Sequence, residues 1–170
     1  MGIFSWLRPG QSPSRISSQD LCVNLSGFAC GRTPLGATPS ANDAFSQHLA
    51  QHEILKCERE GFELGTEDGK LDYVFLTLSR FRGSFTFRGD TVALTTETTP
   101  EQVLRRFGDP YWKDEDRNEL ILFYEDGRVE LQFEFPGKHR LSFVTMMLNP
   151  LMADAEQRKA YGVTKPWPPH

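Results

Sequence analysis

The segment 129–135, with the sequence VELQFEF, alternates strictly between apolar and polar side chains. Successive side chains of a β-strand point to opposite faces, so this period of two predicts a strand with one dry and one wet face. The dry face would carry Val129, Leu131, Phe133 and Phe135, and the wet face Glu130, Gln132 and Glu134. Such a strand belongs in an antiparallel sheet covered on its apolar side only, which favours an α+β fold with helices packed on that side.

Two parts of the chain resemble each other in the order of their residues. The Thr-Pro pairs at 38–39 and 99–100 align, and a glycine turn between short apolar runs precedes each pair. Later positions also align: Glu58 with Glu125, Gly61 with Gly127, Glu63 and Leu64 with Glu130 and Leu131, and Leu71 and Val74 with Leu141 and Val144. We therefore expect two tandem β-β-α-β-β-β modules, at 20–79 and 80–149, each with five antiparallel strands and one helix.

One helix is predicted after each Thr-Pro pair. In the second module Thr99 is a suitable N-cap, Pro100 fits the first helical position, and Gly108 followed by Pro110 ends the helix. Its apolar stripe consists of Val103, Leu104 and Phe107. In the first module Ser40 is expected to cap a helix whose apolar face carries Ala44, Phe45 and Leu49.

The two ends of the chain differ from the modules in composition. Residues 1–19 form an N-terminal segment and linker that contains RPGQSPSR. Residues 150–170 predict a short helix from about Asp154 to Tyr161 and then an extended proline-rich tail, which Tyr161 and Trp167 can pin to the surface. The whole chain is short enough to fold as one domain.

Charge and hydropathy exclude several classes of protein. A formal net charge of −4 gives no long-range attraction to phosphate backbones, so nucleic-acid binding is not expected. No apolar run reaches the length of a membrane-spanning helix, and the start of the chain lacks the cationic leader of a signal peptide. The three cysteines have no metal-ligand spacing and fit a reducing compartment. We expect a cytoplasmic protein.

No catalytic or metal-binding motif is complete. Asp114, Asp116, Asn118 and Glu125 match positions of a calcium loop, but Glu119 stands where the loop needs glycine. His48 and His52 have helical metal-pair spacing without a third ligand, and Gln51 replaces the general-base glutamate of inverted zinc proteases. We expect no metal and no cofactor.

The second module resembles a known kind of fold. A capped helix ending in FGDP, then a loop and the strands LILFY, VELQFEF and LSFVTMM, is similar to the modules of β-lactamase-inhibitor-protein-like proteins and small outer-membrane assembly lipoproteins. The likeness lies in Thr99, Val103, Leu104, Phe107, Gly108 and Pro110 and in those strands. It implies binding through a sheet face and its loops, with no chemistry performed. The chain departs from the inhibitors in its odd cysteine count and in the two strands before each helix.

These observations predict a non-enzymatic protein-binding module, of the kind of a bacterial immunity or inhibitor protein that covers the surface of a toxin or enzyme. Aromatic anchors surrounded by charge are typical of binding hot spots. The predicted contact residues are Tyr111, Trp112, Asp114, Glu115, Asp116, Glu130, Gln132 and Glu134. Two alternatives remain open: a metal-assisted enzyme that uses an acidic loop at 109–119, and a structural homo-oligomeric module. The sequence leaves the partner's identity and the oligomeric state open.

Overall fold

A computed structural model describes residues 16–167. In this part of the chain there are twelve strands and three α-helices. The strands are Cys22–Asn24 (β1), Ala29–Cys30 (β2), Thr33–Pro34 (β3), Ile54–Cys57 (β4), Phe62–Glu67 (β5), Lys70–Thr77 (β6), Ser84–Phe87 (β7), Asp90–Val92 (β8), Trp112–Glu115 (β9), Glu119–Asp126 (β10), Val129–Pro136 (β11) and Phe143–Met147 (β12). The helices are Ser46–Leu49 (α1), Pro100–Phe107 (α2) and Ala155–Ala160 (α3). None of these helices is long and apolar enough to cross a membrane.

The strands form two sheets. The large sheet has the order β4-β5-β6-β12-β11-β10-β9 and is antiparallel throughout, and the small sheet has the order β3-β2-β1-β7-β8. Only the β1–β7 pair is parallel among the described strands, with Val23 opposite Phe85. Both sheets contain strands from 20–79 and from 80–149. The predicted α+β class is confirmed.

The main core lies on one face of the large sheet. Two rows of side chains cross this face and are almost completely buried: Leu55, Leu64, Val74, Met146 and Leu131 in one row, and Leu122, Phe133, Val144, Leu76 and Phe62 in the other. Helix α2 covers this face, since the Phe107 ring lies 4.8 Å from Phe133 and 4.6 Å from Phe87 of the small sheet. The predicted position of a helix on the apolar face is therefore confirmed for α2.

Local sequence determines α2. The Thr99 hydroxyl accepts a hydrogen bond from Gln102 N (3.4 Å), and the Gln102 side chain accepts one from Thr99 N (2.9 Å), which completes a capping box. Pro100 occupies the first helical position, as predicted. Gly108 follows the helix with φ +84°, a conformation that glycine adopts without a Cβ clash.

The first helix differs from its prediction. Helix α1 begins at Ser46, and Ser40 lies in a turn where its carbonyl accepts a hydrogen bond from Asp43 N. The buried Asp43 carboxylate accepts hydrogen bonds from Thr33 Oγ1 (2.5 Å) and Arg32 N (2.9 Å), which fix the chain against the β2–β3 turn. The expected cap at Ser40 is therefore wrong. Phe45 and Leu49 are buried as expected, but Ala44 is exposed.

The second face of the large sheet is not wholly wet. Residues 150–167, which we call the strap, contain α3 and lie across β9, β10 and β11. Met152 of the strap is fully buried, the Tyr161 ring lies 5.6 Å from Phe123, and the Trp167 ring lies 5.1 Å from Tyr111. The predicted helix and the pinning by Tyr161 and Trp167 are confirmed. Of the predicted N-terminal segment, residues 1–15 lie outside the described residues.

Candidate functional site

Part of the predicted acidic loop at 109–119 is a strand. Residues 112–115 form β9, which pairs with β10 so that Trp112 lies opposite Phe123 and Asp114 opposite Ile121. The expectation of a loop is wrong for these four residues, because Trp112 packs against an apolar neighbour across the ladder and beneath the strap. β9 is one edge of the large sheet.

The outer side of β9 carries backbone groups that have no hydrogen-bond partner among residues 16–167. Asp116 N donates to Glu119 O (3.1 Å), and bonded pairs alternate along an antiparallel ladder. The bonded pairs are therefore 114–121 and 112–123, so the backbone N–H and C=O groups of Lys113 and Glu115 point away from β10. Such groups form a template for a further strand.

Tyr111 and Trp112 lie beneath the strap. Tyr111 is 7% exposed, and its hydroxyl donates to the carbonyls of Lys165 (3.3 Å) and Pro166 (3.1 Å). Lys165 Nζ in turn donates to the Tyr111 carbonyl (2.8 Å). Trp112 is half-buried, and its Nε1 has no hydrogen-bond partner among the described residues. In this arrangement Tyr111 anchors the tail of the chain.

The acids at the end of β9 have partners within the chain. Glu115 forms ion pairs with Lys113 (2.7 Å) and Lys138 (3.1 Å), and these cations lower the pKa of Glu115. Asp116 accepts hydrogen bonds from the backbone N–H groups of Asn118 and Glu119, both at 2.7 Å, which lower its pKa. Asp116 therefore shapes the turn. Glu115 and Asp116 are both exposed.

Two of the three predicted contact residues on β11 are buried. Glu130 is 0% exposed, and its carboxylate accepts hydrogen bonds from Gln132 Nε2 (2.5 Å) and Met152 N (3.2 Å). Gln132 is 6% exposed. The prediction that both side chains face water is wrong, because the strap covers them. Burial raises the pKa of Glu130 despite these hydrogen bonds.

Glu134 lies near the margin of the strap. It is half-buried, and Thr145 Oγ1 donates a hydrogen bond to its carboxylate (3.4 Å). Burial and the neighbouring Glu119 raise the pKa of Glu134. No ion pair involves Glu134 within residues 16–167.

Glu125 entered the sequence analysis through the rejected calcium loop and through the repeat alignment with Glu58. It lies directly opposite Glu130 in the β10–β11 ladder. Burial, and then the Glu130 charge, raise the pKa of Glu125 to about 7. Its Oε2 is inaccessible and has no hydrogen-bond partner among the described residues.

A second surface lies on the same face of the sheet, beyond the strap. It consists of Ile54, Tyr73, Phe75, Phe143 and Met147, which we call the open strip. Ile54 is 53% exposed and the other four are partly exposed. The sequence did not reveal this surface, because Leu71 and Val74 of LDYVFLTL entered only the repeat alignment and no residue of that run was assigned to a face. The sequence does carry a signal for it. Apolar residues occupy both odd and even positions of this run, which indicates apolar side chains on both faces of the strand.

Side chains suited to metal binding are dispersed. Among the described residues no group of three or more His, Cys, Asp or Glu could hold a metal ion. The His48 and His52 rings lie 4.7 Å apart without a third ligand. Asp114 lies on β9 opposite Ile121, whereas Glu125 lies four residues farther along β10, so the calcium-loop positions do not converge.

Comparison with known proteins gives one distant similarity. No protein-family model matches the sequence, and no curated protein matches it. Among solved structures, a DUF4309 family protein (YjgB) from Bacillus subtilis subsp. subtilis str. 168 is similar, with 14% sequence identity and a TM-score of 0.38. The match covers 58% of this chain and 66% of that chain, so this chain spans just under two thirds of that protein's length.

Proposed function

We propose that this chain is a non-enzymatic protein-binding module that acts by covering the surface of a partner, as immunity and inhibitor proteins do. The observation that carries the proposal is the edge strand β9. Its outward backbone groups at Lys113 and Glu115 are flanked by the acidic side chains of Asp114 and Asp116. A partner strand with basic side chains would extend the sheet there, with backbone hydrogen bonds supplying affinity and charge supplying specificity.

The predicted contact residues take two roles in this proposal. Asp114, Glu115 and Asp116 make contacts with the partner. Tyr111, Trp112, Glu130 and Gln132 fix β9 and the strap in place. Glu134, at the margin of the strap, extends the acidic surface.

We also propose that the chain is built from two tandem modules. The β6–β12 ladder supports this interpretation, because Leu71 and Val74 align in sequence with Leu141 and Val144. Under that alignment Phe75 corresponds to Thr145, which is also its direct partner in the ladder. In the same way, the ladder pair Val74–Met146 corresponds to the ladder pair Val144–Leu76. The ladder is thus symmetric about its centre. A tandem arrangement of this kind is similar to the inhibitor-like modules that the sequence suggested.

The first test is a tagged pull-down from lysate of the native organism, with wild type and the variant Lys113→Pro. Proline at 113 removes an outward N–H without breaking the β9–β10 ladder. We expect one stoichiometric protein to be captured by wild type and lost with Lys113→Pro. The purified pair should then show at least tenfold weaker binding for Lys113→Pro in calorimetry.

The charge-matched comparison uses two reversals. Glu115→Lys places a positive charge at the β9 edge, whereas Glu67→Lys places it at the exposed end of β5. Binding should weaken with the first and not with the second. Equal capture by wild type and Lys113→Pro would contradict the edge-strand proposal.

A further inference from the structure

We propose that the open strip is a second docking surface, for a protein segment that carries a lysine or arginine between apolar side chains. This surface is separate from the β9 edge and shares only Glu134 with the acidic surface proposed there. The described strap contacts fall on β9, β10 and β11, so no described residue of the strap covers the strip on β4, β6 and β12.

The centre of the strip is a pair of aromatic rings. The Phe75 and Phe143 rings are stacked, with centroids 5.5 Å apart and an interplanar angle of 22°. The Tyr73 ring lies over Gly65 of the neighbouring strand, where a Cβ would meet Tyr73 Cε1 at 1.9 Å. Ile54 extends the strip to the β4 edge and is the one large apolar residue described that is more than half exposed. Partly exposed apolar side chains grouped in this way mark an interaction surface.

Carboxylates lie on both sides of the ring pair. Glu63 of β5 is the direct cross-strand partner of Phe75, and Glu134 of β11 is the direct partner of Phe143. Glu63 accepts a hydrogen bond from Tyr73 OH (2.7 Å) and lies 3.6 Å from Lys56, which is itself 57% exposed. Glu134 has no cation beside it within the described chain and faces the like charge of Glu119.

This combination specifies the chemistry of the occupant. A cationic side chain over the ring pair would gain a cation–π interaction and lie between the two carboxylates. Apolar neighbours on the same segment would cover Ile54 and Tyr73. An anionic segment would meet only like charge at Glu134. The strip therefore selects a basic and apolar segment by charge complementarity.

The probe is a five-residue peptide of alternating leucine and arginine, and its control is the same peptide with glutamine in place of arginine. Binding is followed by amide shifts in ¹H–¹⁵N spectra of the full chain. We expect the arginine peptide to bind at least tenfold more tightly, with the largest shifts at Glu63, Phe75, Glu134 and Phe143. Equal affinity for the two peptides, shifts confined to other regions, or no binding of the arginine peptide at millimolar concentration would overturn the proposal.

Variants separate the strip from general attraction to an acidic protein. Glu134→Gln should weaken binding of the arginine peptide about tenfold, whereas Asp68→Asn removes the same charge from the β5–β6 turn and should leave it unchanged. Lys113→Pro should also leave it unchanged, because β9 is not part of the strip. If Asp68→Asn weakens binding as much as Glu134→Gln does, the attraction is nonspecific and the proposal fails.

Discussion

At the scale of single residues, the most unusual feature is a pair of carboxylates enclosed under the strap. Glu125 and Glu130 lie opposite each other on β10 and β11, where Glu130 is fully buried and Glu125 is half-buried. Glu130 has hydrogen bonds to its carboxylate, whereas Glu125 Oε2 has none among the described residues. Burial of a carboxylate beside a second carboxylate disfavours the ionised form, so the protonated state of Glu125 stabilises the fold.

This arrangement predicts a pH dependence of stability. The folded-state pKa of Glu125, about 7, lies above its ordinary value of 4.5, so the folded protein binds this proton more tightly than the unfolded chain does. The resulting stabilisation is complete below pH 4.5 and is lost as the pH rises through about 7. The free energy of unfolding of Glu125→Gln, taken relative to that of wild type, should therefore increase as the pH rises from 5 to 8. Urea unfolding at the two pH values measures this difference.

The exposed Asp68 of the β5–β6 turn provides the control for this measurement. Asp68→Asn removes a carboxylate from a different hairpin, and Asp68 is not among the charges that raise the pKa of Glu125. Its stability relative to wild type should be the same at pH 5 and pH 8. A parallel change in both variants would show that net charge is responsible.

Gly65 is a second residue whose identity follows from a contact. Because the Tyr73 ring occupies the space above it, a Cβ at this position must displace the ring. We expect Gly65→Ala to lower the free energy of unfolding by about 1–3 kcal/mol through overpacking. The same substitution in a Tyr73→Leu background should cost clearly less, since the ring is then absent. Equal costs in the two backgrounds, measured by urea unfolding, would exclude the ring contact as the cause.

At the scale of elements, α2 shows how far local sequence determines structure. Its capping box, its proline at the first turn and its terminal glycine all act within ten residues of chain. Thr99→Ala should therefore lower the free energy of unfolding by about 1 kcal/mol. In thermal unfolding, Thr96→Ala is the control, because Thr96 makes no cap contact. A loss with Thr96→Ala as large as that with Thr99→Ala would contradict the capping role.

The distance along the chain over which each signal acts explains which predictions were wrong. The sequence predicted α2, the apolar row of β11 and α3 because their signals are local or periodic. The cap at Ser40 failed because Asp43 bonds to Thr33 and Arg32, which are neighbours only in the folded chain. The prediction of a wet face on β11 was wrong because the strap lies over that face. The residue pattern within 129–135 contains no information about a covering segment from a distant part of the chain. The candidate site at β9 was identified by its aromatic and acidic composition, but its strand pairing was not.

At the scale of the whole molecule, one sheet separates two cores of unequal size. The larger core lies between the sheet, α2 and the small sheet, and the smaller one contains Tyr111, Phe123 and Met152 beneath the strap. Leu122 and Phe123, adjacent in β10, belong to different cores. The smaller core has few buried side chains, so its local stability should be lower than that of the rest.

Met152→Ala tests this division. Removal of this fully buried side chain leaves a cavity, which we expect to lower the free energy of local unfolding by about 2–5 kcal/mol. Hydrogen exchange should show faster exchange at Arg158, Tyr161 and Val163, whose amides donate hydrogen bonds within the strap, and unchanged protection in β6 and β12. The comparison variant is Val144→Ala in the larger core. It should weaken protection throughout the sheet, and a similar loss throughout the sheet with Met152→Ala would contradict two separable units.

The β6–β12 ladder also has a consequence for how the chain folds. The hairpins β5–β6 and β10–β11 join strands that are neighbours in sequence, so they can form early. The ladder between β6 and β12 joins residues about 70 positions apart, and the closure entropy of that long loop must be overcome before its contacts form. Closing the middle of the sheet should therefore limit the folding rate. Until it closes, the inner edge of β6 remains open to pairing with another nascent chain.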